Sequence, residues 1–262
     1  MNAGPQPADY TVDAFHRGAF HLVQPRGRGH RAGIDAMLLA ALVPDGARGQ
    51  LADFGAGTGA AGLAAVSRLA DMRATLVEYD SEMVECARRT LALAENGELA
   101  ARASVLRADV TLRGQARLAA GLADSAYDHV IMNPPFNDAL DRPTPDALKA
   151  RAHAMSGDLF QAWIRTAGAV ARAGAQLSLI ARPESIAAIV DACGGRFGGL
   201  ECTALYPREG ADAIRILVTA IRGSRARLRM RAPLVLHEGE DHAFTSFVDA
   251  LNNGRAAYPR RG

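Results

Sequence analysis

The chain has 262 residues, a formal net charge of +2 and 49% hydrophobic residues. This length favours a single α/β domain with some additional segments and a sizeable apolar core. The near-neutral charge balance gives no global signature of nucleic-acid binding. Three cysteines without metal-ligand spacing and a first segment without an apolar run argue against a disulfide scaffold, a zinc site or a secretory signal. A cytoplasmic location is therefore expected.

The predicted elements alternate between strands and helices after a short N-terminal segment. A helix is expected at 35–42, where the apolar residues share one face. Further helical patterns occupy 60–70, 82–95, 158–172 and 184–193. Between them lie short apolar runs, and this alternation predicts a mostly parallel sheet with helices on both faces. We therefore divide the chain into an N-terminal extension (1–45), a main domain (46–255) and a C-terminal tail (256–262).

The first strand of the main domain, Gln50–Phe54, ends in a glycine-rich turn. Asp53 comes just before Gly55-Ala56-Gly57-Thr58-Gly59, and a helical pattern follows. Glycines allow positive φ and close approach of the backbone to a ligand, and a helix N-terminus offers free N–H groups. Dinucleotide loops usually read G-x-G-x-x-G, and a carboxylate beside such a loop would repel a pyrophosphate. A tight turn without a ligand is the alternative reading.

Two further acids stand at the ends of predicted strands. Glu78 ends the strand 74–78, about twenty residues after the loop, where an acid can accept hydrogen bonds from both hydroxyls of a ribose. Asp109 follows a third strand at 103–106. Because the carboxyl ends of parallel strands meet at one edge of a sheet, the glycine loop and both acids should converge there.

Asn133-Pro134-Pro135-Phe136 directly follows an apolar run that reads as a buried strand. Prolines have fixed φ and no N–H, so they end the strand in a rigid turn. That turn presents an amide, a carbonyl and an aromatic ring at a strand's carboxyl end, where open α/β sheets bind ligands. A simple strand-to-loop turn with a buried Phe is the alternative.

Together these motifs resemble those of the class I S-adenosylmethionine-dependent methyltransferases. The matching residues are Asp53–Gly59, Val77–Asp80, Asp109 and Asn133–Phe136, and the resemblance covers roughly residues 10–255. It implies a Rossmann-like fold with a mostly parallel seven-stranded sheet, a final antiparallel strand and an N-terminal extension that covers the cofactor site. It also implies S-adenosylmethionine as the cofactor and no metal. The cofactor-binding residues would be Asp53, Gly55, Ala56, Gly57, Gly59, Glu78, Tyr79 and Asp109, and the catalytic residues Asn133, Pro134 and Phe136.

The NPPF variant resembles enzymes that methylate planar nitrogens, such as the exocyclic amine of adenine or a glutamine amide. The Asn133 side chain and the Pro134 carbonyl could accept the two hydrogens of such an amine, and Phe136 could stack on the base. The segments 24–35 and 213–223 look like those of bacterial tRNA N6-adenine methyltransferases that act beside the anticodon of a valine tRNA, which implies tRNA as the partner. A release-factor type of glutamine methyltransferase is one alternative, although those enzymes usually carry a larger helical N-terminal domain. A non-catalytic methyltransferase-like binding module is another.

Arginine supplies nearly all the cations, since Lys149 is the single lysine. Five arginines are spaced mostly by two, which predicts one face of a strand that could contact phosphates; they are Arg222, Arg225, Arg227, Arg229 and Arg231. A charged edge strand that resists aggregation explains the same spacing. Arg26, Arg28 and Arg31 form a second basic cluster near the proposed cofactor cover.

Overall fold

The computed structural model describes residues 9–27, 31–135, 157–239 and 241–261. Its strands are β1 (Tyr10–Phe15), β2 (Phe20–Pro25), β3 (Gly49–Phe54), β4 (Met72–Glu78), β5 (Ala103–Arg107), β6 (Tyr127–Met132), β7 (Ala171–Ala181), β8 (Phe197–Tyr206), β9 (Arg215–Arg222), β10 (Arg229–Met230) and β11 (Leu234–Val235). Its helices are α1 (Ile34–Ala41), α2 (Ala60–Arg68), α3 (Ser81–Ala92), α4 (Gly97–Ala100), α5 (Gly114–Ala119), α6 (Gly157–Val170), α7 (Ile186–Cys193) and α8 (Ser246–Asn252). Within the described ranges, no helix is long and apolar enough to cross a membrane.

The central sheet has the order β5-β4-β3-β6-β7-β9-β8. All neighbours in the series from β5 to β7 are parallel, whereas β9 is antiparallel to both β7 and β8. The expected mostly parallel sheet and its late antiparallel strand are therefore confirmed. Two short strands, β10 and β11, pair with the outer edge of β8, and the sequence did not indicate β11.

Both faces of this sheet are covered by helices, which is why its strands read as near-continuous apolar runs. Successive residues of a strand point to opposite faces. In β3, Leu51 belongs to the core under α1, α2 and α8, whereas Ala52 and Phe54 belong to the core under α6 and α7. The same alternation in β4 and β6 gives the domain two apolar layers and holds the strand ends in fixed positions.

The hairpin of β1 and β2 is separate from the central sheet and was not predicted. The Val23 N–H donates to Thr90 Oγ1 at 2.9 Å, and the His21 N–H donates to Asn96 Oδ1 at 2.9 Å, which fixes β2 against α3 and the turn after it. The hairpin turn contains His16 and Arg17 at φ 47° and 55°. Non-glycine residues adopt this left-handed region infrequently. The turn also lacks the Asn-Gly pair that identifies a hairpin in a sequence, so the hairpin could not be recognised.

The prediction that the alternating arginines form one strand is wrong. Arg222 is the last residue of β9 and Arg229–Met230 form the two-residue β10, whereas residues 223–228 between them form no strand. Arg222 Nε donates to the Gly168 carbonyl at 2.7 Å, and Arg231 lies over the Tyr258 ring. These two guanidiniums therefore stabilise the fold. The predicted strand is interrupted because residues spaced by two form a strand only where a neighbouring backbone is available to pair. The helix predicted to reach 172 also ends earlier, at Val170, because β7 begins at the next residue.

All three cysteines are buried thiols that form no disulfide, as the sequence predicted: Cys86, Cys193 and Cys202. Burial raises the pKa of Cys193 to about 12 and that of Cys202 to about 11. Because the thiolate is the reactive form, these two side chains act as small apolar residues of the core.

Candidate active site

Three strand registers bring the predicted site residues to one edge of the sheet. Phe54 aligns with Val77 of β4 and with Met132 of β6, and Glu78 aligns with the last residue of β5. The residues that follow these positions are the glycine loop, the Glu78 segment, the loop with Asp109 and Asn133. The structure therefore places the four sequence signals side by side at the carboxyl edge.

The glycine loop needs its glycines for three different local reasons. Gly55, Gly57 and Gly59 have φ of 68°, 56° and 98°, a region that disfavours side chains. A Cβ at position 55 would lie 2.6 Å from Trp163 Cη2, and a Cβ at position 59 would lie 2.8 Å from Leu76 Cδ1. At position 57 a Cβ would meet no atom within 4 Å. Gly57 therefore faces open space, where its backbone can approach a ligand.

Asp53 is buried beneath this loop with a relative exposure of 2%. Its Oδ2 accepts a hydrogen bond from the Gly62 N–H at 2.8 Å, which joins the end of β3 to the first turn of α2. Burial raises the pKa of Asp53 to about 7; the Gly62 N–H opposes this shift and the Glu78 charge adds to it. Gly62 itself cannot be larger, because its Cβ would lie 2.4 Å from Leu76 Cδ2.

The raised pKa of Asp53 predicts a specific dependence of stability on pH. A carboxyl whose pKa is higher in the folded than in the unfolded state contributes stability that is full below about pH 4 and is lost as the pH rises to about 7. We expect Asp53→Asn, which keeps an acceptor for Gly62, to gain in melting temperature relative to wild type between pH 5 and pH 8. One kcal/mol corresponds to about 2–4 °C for a domain of this size, so the gain should reach several degrees.

Thermal melts of the ligand-free protein across this pH range test the Asp53 prediction. The exposed Asp71, changed to Asn, is the matched control and should follow the wild-type pH profile. Parallel profiles for Asp53→Asn and wild type would contradict the prediction.

Glu78 holds the loop as well as presenting a carboxylate to the site. Its Oε2 accepts from the Gly57 N–H at 2.8 Å, and its Oε1 accepts from the N–H groups of Tyr79 and Asp80 at 2.7 and 2.8 Å. Burial raises the pKa of Glu78, although these three N–H donors oppose the shift and the Asp80 charge adds to it. Asp80 in turn caps α3 by accepting from the N–H groups of Glu82 and Met83.

Asp109 is oriented by two contacts that the sequence did not reveal. Its Oδ1 accepts from both the N–H and the Oγ1 of Thr111 at 2.7 Å. The Thr111 carbonyl then accepts from Arg165 Nη2 at 3.2 Å, which connects this loop to α6. Tyr79, another of the predicted cofactor-binding residues, is 67% exposed. Asp109 Oδ2 and the Tyr79 ring are therefore the groups that a ligand would meet here.

Asn133 directly follows β6, and its side-chain oxygen lacks a partner among the described residues. Its Oδ1 is buried and accepts no hydrogen bond within the described residues. A buried acceptor left in this state costs about 1–3 kcal/mol. Pro134, which follows it, is buried and fixes the backbone, while the predicted Phe136 lies outside the described residues. Asn133 Oδ1 is therefore an acceptor at this edge that no described residue occupies.

Two other features of the described chain lie apart from this edge. A cavity of about 370 Å³ lies between the turn of the N-terminal hairpin, the start of α1 and α8, and none of the predicted site residues lines it. In the part of the chain that the structure describes, no group of three or more His, Cys, Asp or Glu residues could hold a metal ion.

Comparison with known proteins assigns the family. The model of the methyltransferase small domain matches residues 31–184, a span that contains every site residue described above. The chain belongs to this methyltransferase family. The crystal structure of a predicted O-methyltransferase from Agrobacterium tumefaciens is 54% identical, with a TM-score of 0.77 over 87% of this chain and 100% of that one. No curated protein matches the chain.

More distant structures share the methyltransferase fold. TYW2 from P. horikoshii in complex with MeSAdo is 11% identical, with a TM-score of 0.53 over 82% of this chain and 72% of that one. An S-adenosylmethionine-dependent O-methyltransferase from Thermotoga maritima is 13% identical, with a TM-score of 0.50 over 75% and 68%. The fold is thus the Rossmann-like class I methyltransferase fold, and the cofactor is S-adenosylmethionine.

The residues of this methyltransferase fit that cofactor. The open space at Gly57 lies against a backbone that is already held by Glu78, so a ligand can approach without a side chain in its way. We expect Glu78 to accept from the ribose hydroxyls, Asp109 Oδ2 to accept from the adenine amine and the loop Gly55–Gly59 to lie along the methionine part. When bound, the cofactor supplies an electrophilic methyl group.

Proposed function

We propose that this methyltransferase transfers a methyl group to the exocyclic N6 amine of an adenine in tRNA. The observation that carries the proposal is the Asn133 side chain, whose buried Oδ1 has no hydrogen-bond partner among the described residues. Asn133 follows β6 at the edge where Gly55 follows β3, so its acceptor lies beside the methyl-donor site.

The chemistry of an adenine amine explains the need for two acceptors. Its lone pair is delocalised into the ring, so the nitrogen is a poor nucleophile. Asn133 Oδ1 and the Pro134 carbonyl can accept the two N–H hydrogens, which orients the nitrogen and favours tetrahedral character during attack. Methyl transfer is an in-line displacement, so orientation supplies much of the rate enhancement. The new N–C bond forms as the S–C bond breaks, and the methylated nitrogen then releases a proton to water.

Two other acceptors of the methyl group are compatible with parts of the site. A protein glutamine amide also presents a planar NH₂ group, so Asn133 and Pro134 would serve it equally well. The Agrobacterium relative is described as a predicted O-methyltransferase, which suggests a hydroxyl. We favour the amine because a hydroxyl offers a single hydrogen to a site with two adjacent acceptors. We favour RNA over protein because the segments 24–35 and 213–223 resemble those of tRNA adenine methyltransferases.

A comparison of methyl transfer to tRNA and to protein tests the proposal. Purified enzyme is incubated with radiolabelled S-adenosylmethionine and either bulk tRNA or bulk protein, and the labelled tRNA is digested for nucleoside mass spectrometry. We expect label in tRNA as N6-methyladenosine. Label confined to protein would favour the glutamine alternative, and an O-methylated nucleoside would contradict attack by an amine. Asn252→Ala, an amide on α8 far along the chain from β6, is the control variant and should label tRNA at the wild-type rate.

A further inference from the structure

A basic surface runs along α6 away from the candidate active site. It begins at the Asp109 loop, where the Thr111 carbonyl accepts from Arg165 Nη2 at 3.2 Å. Arg113 lies two residues after Thr111 and is exposed. The loop that orients Asp109 is therefore flanked by two guanidiniums, one from α6 and one from the start of α5.

The same surface continues one helical turn further along α6. Residues three apart on a helix lie on one face, so Gly168 is next to Arg165. Gly168 is covered by the Arg196 side chain, since a Cβ at position 168 would lie 3.0 Å from Arg196 Cδ. Arg196 is joined to the arginine-rich segment after β9 because its carbonyl accepts from the Gly223 N–H at 2.8 Å. Arg225 and Arg227, both exposed, follow in that segment.

The structure shows no carboxylate of a described residue that neutralises Arg113, Arg165 or Arg196. Within the part of the chain that the structure describes, no ion pair involves Arg113, Arg165 or Arg196. Burial, followed by the charges of Arg113 and Arg196, lowers the pKa of Arg165. The nearby acid on α7, Asp191, accepts instead from Gln161 Nε2 at 2.6 Å. The fold thus tolerates mutual repulsion here, which an anionic partner would relieve.

We propose that Arg113, Arg165 and Arg196, named here the α6 arginine track, bind backbone phosphates of the RNA substrate. The inference rests on the proposed function for the nature of the partner. It assigns phosphate contacts to arginines from three separate parts of the chain, whereas the sequence pointed to one continuous strand over 222–231, which the structure does not form. Charge complementarity supports the assignment, since planar guanidiniums bind phosphates in bidentate fashion and the track starts beside the loop that holds Asp109.

The salt dependence of tRNA binding tests the track. Each phosphate contact contributes about 0.7–0.9 to the slope of log K against log salt concentration. The variant Arg113→Gln/Arg165→Gln/Arg196→Gln should therefore bind tRNA more weakly, with a slope smaller by about 2–3. The matched control removes three exposed charges elsewhere, as Arg48→Gln/Arg73→Gln/Arg88→Gln, and should keep the wild-type slope. Melting temperature and binding of S-adenosylhomocysteine check that both variants are folded.

Each outcome of this titration has a defined meaning. An unchanged slope in the track variant, equal loss in both variants, or no binding of tRNA by wild type would overturn the track. The proposal would also be overturned if the track variant lost binding to anionic phospholipid vesicles but still bound tRNA like wild type, because the partner would then be a lipid surface. Failure of the proposed function gives a different result. If the track variant bound tRNA more weakly but wild type did not methylate tRNA, the track would stand as an RNA-binding surface and adenine would be rejected as the target.

Discussion

Asn133→Ala should reduce methyl transfer by about 10²–10³-fold, the range for removing one hydrogen-bonding group that acts in a transition state. Affinity for S-adenosylhomocysteine should stay within about twofold of wild type, because the amide is proposed to contact the methyl acceptor rather than the cofactor. Melting temperature should not fall, because the substitution removes a buried acceptor that has no partner among the described residues. Single-turnover kinetics, calorimetry and thermal melts measure the three quantities.

The stability measurement separates catalysis from structure for Asn133. A structural asparagine would lower the melting temperature when truncated, and its loss would reduce cofactor affinity together with rate. Asn252→Ala, on α8 and lining the separate cavity, is the control for amide truncation and should leave the rate unchanged. Wild-type turnover by Asn133→Ala would refute the assigned role.

Glu78→Ala should have the largest effect on cofactor binding. It removes the expected ribose acceptor and also releases the Gly57 N–H, which Glu78 holds at 2.8 Å. A hydrogen bond to a charged group is worth about 1.5–3 kcal/mol, which corresponds to roughly 10- to 150-fold in affinity. Burial raises the pKa of Glu78, so the fold disfavours its charged form, and a perturbed carboxyl of this kind is typical of functional sites.

Calorimetry with S-adenosylhomocysteine measures this loss, and two further variants locate its cause. Glu78→Gln keeps one acceptor oxygen, so it should retain part of the affinity, whereas Glu98→Ala, an exposed acid on α4, should bind like wild type. Equal affinity of Glu78→Ala and wild type would remove Glu78 from the cofactor site.

The central sheet could be predicted from the sequence because its signals are local. Short apolar runs that end at Gly55, Glu78 or Pro134 define buried strands, and their parallel order follows from the helices between them. The hairpin 10–25 was missed because its turn uses His16 and Arg17 in a left-handed conformation where glycine or asparagine is the usual signal. The strand predicted from the alternating arginines was wrong because the spacing of side chains does not show whether a neighbouring strand is available to pair.

The position of the candidate site residues at one edge of the sheet could be predicted from the sequence, but their interactions could not. The Glu78 bond to Gly57 depends on the register of β4 with β3, and the isolation of Asn133 Oδ1 depends on what surrounds it in three dimensions. The position of Trp163 against Gly55 joins residues more than a hundred positions apart. Such long-range contacts leave no local pattern in one sequence, although a single tryptophan on the helix after the NPPF segment is a feature that could have drawn attention.

The packing of α6 against the glycine loop has a thermodynamic consequence. Trp163 fills the space where a side chain at position 55 would lie, and Arg165, two residues later on the same helix, belongs to the α6 arginine track. A ligand that displaces this helix at Arg165 therefore also acts on the backbone at Gly55. If polyanion binding changes the affinity for the methyl donor by some factor, linkage requires that binding of the methyl donor changes the affinity for the polyanion by the same factor. The short helix segment from Trp163 to Arg165 thus offers a route by which the two binding sites can be coupled in affinity.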